Sequence, residues 1–204
     1  MVKSNKQKLS FCLSLFFLFI PFLLVNKVVQ YVIGKNKLEK HTTLTPCSIV
    51  QLYNTYILPV LLHGSEMWDM TVRSSQRLDA FDQWCLHHIL RIPFTAHVNQ
   101  KVRLRSAQPP VTQTVMLRRL RFFGHVIRSD SDEDHTRALN AGINDPPKEW
   151  RRPRGRPRQT WLRTVENDLK HQNLRLWSAR HRAYDRDQWR DIVEMATFLQ
   201  GHAT

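Results

Sequence analysis

The chain has 204 residues, enough for one or two domains, and carries 31 Lys and Arg against 17 Asp and Glu, a formal net charge of +14. Its three cysteines, Cys12, Cys47 and Cys85, form no C-x-x-C pair, which excludes a disulfide framework and a zinc ribbon and suits a reducing compartment. The charge excess favours a polyanionic partner, nucleic acid or an anionic membrane surface. Residues 1–40 hold seven Lys and one Glu; the later part holds 24 basic and 16 acidic groups, and its bases are mostly Arg, which suits phosphate and base-edge contacts.

Residues 1–8 are basic and polar, and Leu9–Val25 then runs 17 residues without a charge. That is the low end for crossing a hydrocarbon layer of about 30 Å. Leu9, Phe16, Phe19 and Leu24 lie in this run, and continuing over Lys27 to Ile33 extends the apolar length, so membrane contact is expected through residues 9–33. Val25-Asn26-Lys27 is no small-x-small cleavage site, which favours a signal anchor over a cleaved signal. The competing reading is a spurious reading-frame extension joined to an unrelated downstream segment.

From Thr45 the signals are helical. Thr45-Pro46 reads as an N-cap followed by Pro at the first helical position. Ile49, Leu52, Tyr53, Tyr56, Ile57, Val60 and Leu61 form a helical stripe that Pro59 should kink or end. His63–Glu66 reads as a turn, Trp68 and Met70 as a short strand or irregular link, and Thr71–Ser75 as caps. The next stripe is Leu78, Phe81, Cys85, Ile89 and Ile92, with Trp84 beside it and Pro93 as its stop. A short basic helix is expected around Asn99–Ser106, broken by Gln108-Pro109-Pro110.

Residues 112–128 predict a strong helix with Met116, Leu120, Phe123 and Ile127 on one face and Arg118, Arg119 and Arg121 projecting elsewhere, as candidate contacts to a nucleic-acid backbone or as an ordinary exposed basic face. His125 falls on or beside the packing face. Ser129–Asp134 reads as an acidic loop and Asp145-Pro146-Pro147 as a linker. Thr160 can cap a helix bearing Trp161, Val165 and Leu169, and the last helix starts near Asp185 or Asp187 and carries Trp189, Ile192, Val193 and Ala196. No alternating strand pairs are present. The expected fold is mainly α: an N-terminal hydrophobic helix, then a loose helical bundle of about six helices with an Arg/Pro-rich extended linker. The expected boundaries are 1–43, 44–128, 129–159 for the linker, and 160–204 for a C-terminal helical pair.

Within the linker, Arg151, Arg152, Arg154, Arg156 and Arg158 are interleaved with Pro153, Gly155 and Pro157. No packed core accepts so many guanidinium groups together, and each one's fork of donors fits phosphate oxygens. The prolines hold the backbone extended and the glycine lets it approach a partner closely. Arg152–Arg158 also matches an AT-hook, which lies in the narrow, negative minor groove of A·T-rich DNA. Sequence-tolerant nucleic-acid contact, a minor-groove hook and a solvated linker are the three readings. Trp150 and Trp161 bracket the stretch; bases can stack on such rings, but Trp161 suits the first core position of its helix better.

Two constellations invite metal chemistry and do not fit it. Asp130, Asp132, Glu133 and Asp134 sit in a polar loop that does not hold carboxylates rigidly about two ions. Cys85, His87, His88 and His97 match no established zinc spacing, and Cys85 lies on the apolar face. No metal, cofactor or small-molecule substrate is expected.

Five segments together resemble one family, in order. Tyr53–Trp68 (Y-N-T-Y-I-L-P-V-L-L-H-G-S-E-M-W) resembles the Y-x-x-x-I/V-L-P-x-L-L-Y-G-S-E-x-W block of non-LTR (LINE-type) retrotransposon endonuclease–reverse transcriptases, with His63 where the family has Tyr. Arg77–Ile92 resembles R-L-x-x-F-x-x-x-C-L-R-x-I-L-x-I, and Leu117–Arg128 resembles R-R-L-R-W-F-G-H-V-x-R. Arg154–Trp161 resembles R-G-R-P-x-x-T-W, and Asp185–Arg190 resembles D-R-x-x-W-R. The resemblance covers roughly residues 44–195 and implies the thumb and post-thumb region of such an enzyme, with residues 44–128 as the thumb-like part. The Y/F-A-D-D aspartates of the family's palm have no counterpart here, so no polymerase activity is expected of this chain alone. The expectation is a truncated, non-catalytic, reverse-transcriptase-like protein that binds RNA or DNA weakly and without sequence preference, in nucleus or cytoplasm. The alternatives are a single-pass membrane-anchored protein with a basic helical domain, located at a membrane, and an AT-hook-like DNA-binding protein.

Overall fold

A computed structural model of the protein describes residues 45–92, 99–144, 149, 151, 154, 155 and 159–201. They form helices α1 (Pro46–Leu52), α2 (Leu58–Leu61), α3 (Val72–Leu90), α4 (Asn99–Ser106), α5 (Val111–Ile127), α6 (Asp134–Ile143), α7 (Trp161–Leu169), α8 (Leu176–Ala183) and α9 (Arg186–Gly201). No strand occurs among the described residues, so the mainly α class read from sequence is the class observed. The chain divides into two compact units: Met1–His63 with Ala80–Gln108, and Gly64–Asp79 with Pro109–Thr204. Among the described residues no helix is long and apolar enough to cross a membrane. The proposed membrane segment, with Leu9, Phe16, Phe19 and Leu24, lies outside them.

In the first unit, Thr45 caps α1 as its sequence suggests, its Oγ1 accepting from the Ser48 amide at 3.3 Å. Pro59 does not end the helical path. The chain widens into a π-helical turn over Tyr53–Ile57, with the Leu58 amide donating to the Tyr53 carbonyl, and resumes as α2. Proline lacks an N–H and its ring crowds the carbonyl four residues earlier, and a wider turn accommodates both. The turn also resets the inward face. Val50, Tyr53, Ile57 and Leu61 are buried, whereas Leu52, Tyr56 and Val60, expected in the stripe, face solvent. Cys85, Leu86 and Ile89 of α3 and Val102 of α4 complete this core.

At its centre is a carboxylate. Asp82 is buried, accepts from the Tyr53 hydroxyl at 2.8 Å and from Arg103 Nη1 at 2.7 Å. A buried charge is tolerated when paired and hydrogen-bonded in this way. Burial first, and the Asp82 charge second, push the Tyr53 hydroxyl well above its ordinary range and the Cys85 thiol up to about 12.

The second unit is organised on α5. Its inward residues include Val111, Val115, Met116, Leu120, Phe123, Val126 and Ile127. Pro110 has no side chain to cap this helix. Asp79 caps it instead, accepting from the Thr112 amide at 3.1 Å and the Thr112 hydroxyl at 2.7 Å. Around α5 pack Leu139 of α6, Val165 and Leu169 of α7, Ala179 and Ala183 of α8, and Trp189, Ile192, Val193 and Ala196 of α9. Thr160 Oγ1 caps α7 by accepting from the Arg163 amide, and Asp185 Oδ1 caps α9 by accepting from the Asp187 and Gln188 amides.

Helix α6 lies within the stretch read from sequence as a linker, residues 129–159. Its inward signal is brief: Thr136 and Leu139 are its buried residues, and the acidic run before it dominates the local composition. Thr136 is satisfied by donating to the Val126 carbonyl at 3.3 Å.

Candidate nucleic-acid interface

Residues from four of the five sequence blocks take part in joining the second unit together. Gly64 adopts φ +67, a left-handed turn that favours glycine, and feeds the short helical turn Ser65–Met67. The carbonyl of Glu66 accepts from Trp161 Nε1 at 2.7 Å, and the carbonyl of Trp68 accepts from Arg119 Nη1 at 3.1 Å. Trp189 Nε1 donates to the Leu120 carbonyl at 3.0 Å. That indole lies so close over α5 that a Cβ on Gly124 would collide with its Nε1, which explains a glycine inside a strong helix. Phe123 stands between the two indoles, 6.3 Å from Trp161 and 5.5 Å from Trp189.

This packing separates the three arginines of α5. Arg119 is in the core: its Nε donates to Asp168 Oδ2 at 2.7 Å while Nη1 reaches Trp68. The expectation that it projects to a polyanion is corrected on that ground. It stands one helical turn from both Val115 and Phe123, so it shares their inward face. Burial pushes the Asp168 carboxyl up, and the hydrogen bond and charge of Arg119 act against that shift. Arg121 is exposed and Arg118 half-buried. His125, expected on or beside the packing face, lies beside it: His125 is exposed and Gly124 is buried.

Of the Arg/Pro stretch, Arg151, Arg154 and Gly155 are exposed, and Gly155 has φ +133 with open space around it. Arg152, Arg156 and Arg158 lie outside the described residues. A second group of cations was not read from sequence. Arg121 and Arg128 of the α5 segment and Arg186 and Arg190 of α9 line a cleft of about 300 Å³, together with Trp189, Val193 and Glu194. The spacings, seven on one helix and four on the other, place each pair on one face. The packing of α9 on α5, with Trp189 seated on Gly124, brings the two faces together. Arg128 Nη1 donates to the Ala183 carbonyl, and its guanidinium pKa is lowered by burial and then by the charge of Arg186.

The acidic loop is otherwise engaged. Glu133 pairs with His135 at 2.8 Å, Asp134 with Arg137, and Asp130 accepts from the Asp132 amide at 3.4 Å. Cys85 is in the apolar core of the first unit, and His88 packs edge-on against Trp84 at 4.5 Å. His97 lies outside the described residues. Among the described residues no three His, Cys, Asp or Glu side chains converge as a metal site requires.

Comparison with protein-family models, curated proteins and solved structures finds no match to the chain.

Proposed function

We propose that this protein is a helical, non-catalytic nucleic-acid-binding module of the type found after the palm of non-LTR retrotransposon reverse transcriptases. The observation that carries the reading is the convergence of the sequence blocks. Here Glu66, Trp68, Arg119, Gly124, Trp161 and Trp189, drawn from four of the five blocks, meet in one core through hydrogen bonds and close packing. Block residues Asp79 and Asp82 likewise bind Thr112, and Tyr53 with Arg103. No Y/F-A-D-D pair exists in the sequence, so metal-assisted nucleotidyl transfer belongs to another polypeptide or another part of one. The partners are RNA or DNA, held through phosphates by Arg121 and by the Arg151–Arg158 stretch.

Fluorescence anisotropy with labelled single-stranded DNA, single-stranded RNA, and A·T-rich and G·C-rich duplexes tests the proposal. Comparable affinities are expected for all four, each falling steeply with salt, at about 0.9 of log–log slope per duplex phosphate contact and about 0.7 per single-stranded one. Replacing Arg152, Arg154, Arg156 and Arg158 by Ala should flatten that slope. Affinity that ignores salt would refute phosphate binding, and a marked preference for A·T-rich duplex would favour the minor-groove hook.

A further inference from the structure

Arg121, Arg128, Arg186 and Arg190 crowd one cleft of about 300 Å³, and one carboxylate, Glu194, lines it with them. Like charges gathered in this way repel, and the two carboxylates at hand, Glu194 in the lining and Asp187 on Arg190, are fewer than the four guanidinium groups. The cluster is also partly built in advance. The half-buried Arg128 is fixed by its bond to the Ala183 carbonyl, and Arg190 is steadied by Asp187 at 3.2 Å on the same helix. Trp189 and Val193 are buried and line the cleft with apolar surface, and the Trp189 N–H is already given to the Leu120 carbonyl. That indole faces Phe123, so the cleft presents no free ring for a base to stack on. What it presents is a fork of donors at the small end of ligand-site volumes, suited to a tetrahedral oxyanion.

We infer that this cleft between α5 and α9 holds a backbone phosphate of the bound nucleic acid. The inference rests on the nucleic-acid reading proposed above and gives the Arg121 contact a defined site with Arg128, Arg186 and Arg190, distinct from the Arg/Pro stretch. Phosphate seated there would bridge the exposed Arg121 and Arg186 while Arg128 sets the back wall.

The test uses the full chain and the double variant Arg121→Gln/Arg186→Gln. Both side chains are exposed, so the unfolding midpoint should match the wild type and report an intact fold. Binding of a labelled single-stranded oligonucleotide should weaken about tenfold, as for a lost charge-assisted hydrogen bond, and the salt slope should fall by about 0.7. In parallel, pyrophosphate is titrated into wild-type protein while arginine Nε–Hε resonances are followed, with those of Arg121 and Arg186 expected to shift. Unchanged affinity and slope in the double variant, with wild-type protein still binding, would overturn the cleft and the Arg121 contact and leave nucleic-acid binding to the Arg/Pro stretch. Pyrophosphate shifts without any oligonucleotide binding would overturn the backbone assignment and the nucleic-acid reading together, leaving a site for small free phosphates.

Discussion

The two units each hide one carboxylate–guanidinium pair, and they do so in opposite ways. In the first, the acid is deep and the base nearer the surface: the Asp82 side chain is 2% exposed and Arg103 21%. In the second, the base is deep and the acid nearer the surface: Arg119 is 4% exposed and Asp168 12%. A buried carboxylate needs donors, and Asp82 finds them in the Tyr53 hydroxyl and Arg103, tying the π turn, α3 and α4 together. A buried guanidinium needs acceptors, and Arg119 finds them in Asp168 and the Trp68 carbonyl, tying α5 to α7 and to the turn after Gly64. The deep member of each pair acts as the hub because a charge without water must be satisfied in several directions. A polar residue near the middle of an apolar helix face is therefore a tertiary joint here, and its charge is not available to a ligand.

The strongest blow to the aromatic half of this contrast is Trp189→Ala. It removes the indole over Gly124 and its bond to the Leu120 carbonyl, and should cost about 4 kcal/mol in urea unfolding. Gly124→Ala attacks the same contact from the other side and should cost about 2 kcal/mol through overpacking. In both variants Cys85 should label no faster than in wild type under native conditions, since it belongs to the other core. Faster labelling would show that the two cores melt as one.

Asp82→Ala tests the polar half. It strands Tyr53 and Arg103 and should cost about 3 kcal/mol, seen as faster labelling of Cys85 in a Cys12→Ser/Cys47→Ser background. Within α5, Arg119→Gln should likewise cost about 3 kcal/mol with little direct effect on nucleic-acid affinity once conditions keep it folded. Arg121→Gln, two residues on, should change stability by less than about 0.5 kcal/mol and weaken binding. Equal stability losses at the two positions would erase the distinction between strut and surface.

The smallest effect is one of pH. The folded Cys85 thiol sits at about 12 against an ordinary 9.0. Its raised value means that the stability it contributes is complete below pH 9.0 and is lost between 9.0 and about 12, because the unfolded thiol ionises first. Cys85 in the folded chain should hardly respond to a thiol reagent as pH rises to 9.0, because its thiol is buried and its pKa is raised. A steep native response at Cys85 would place it outside the core.

Local rules made much of the fold legible in the sequence. Thr45, Thr160 and Asp185 cap where a short hydroxyl or carboxylate precedes an apolar period, because capping involves neighbours three residues away at most. The faces of α5, α7 and α9 follow from period 3.6 for the same reason. Helices α6 and α8 carry a faint signal: apart from the half-buried Leu176, α8 buries Ala179 and Ala183, residues small enough to let helices approach but too small to mark a stripe. The exposed character of Arg151, Arg154 and Gly155 was also legible, since their density and prolines forbid a core. What only the tertiary structure decided is which arginines are structural and which face a partner. Arg119 and Arg121 are the same residue type on one helix; the phase of Val115 and Phe123 turns Arg119 inward, but local sequence does not show that a buried acceptor awaits it. Asp168 and the Trp68 carbonyl, 49 and 51 residues away, take the first into the core. Trp189, reaching Leu120 from 69 residues away, brings α9 and its arginines beside the second.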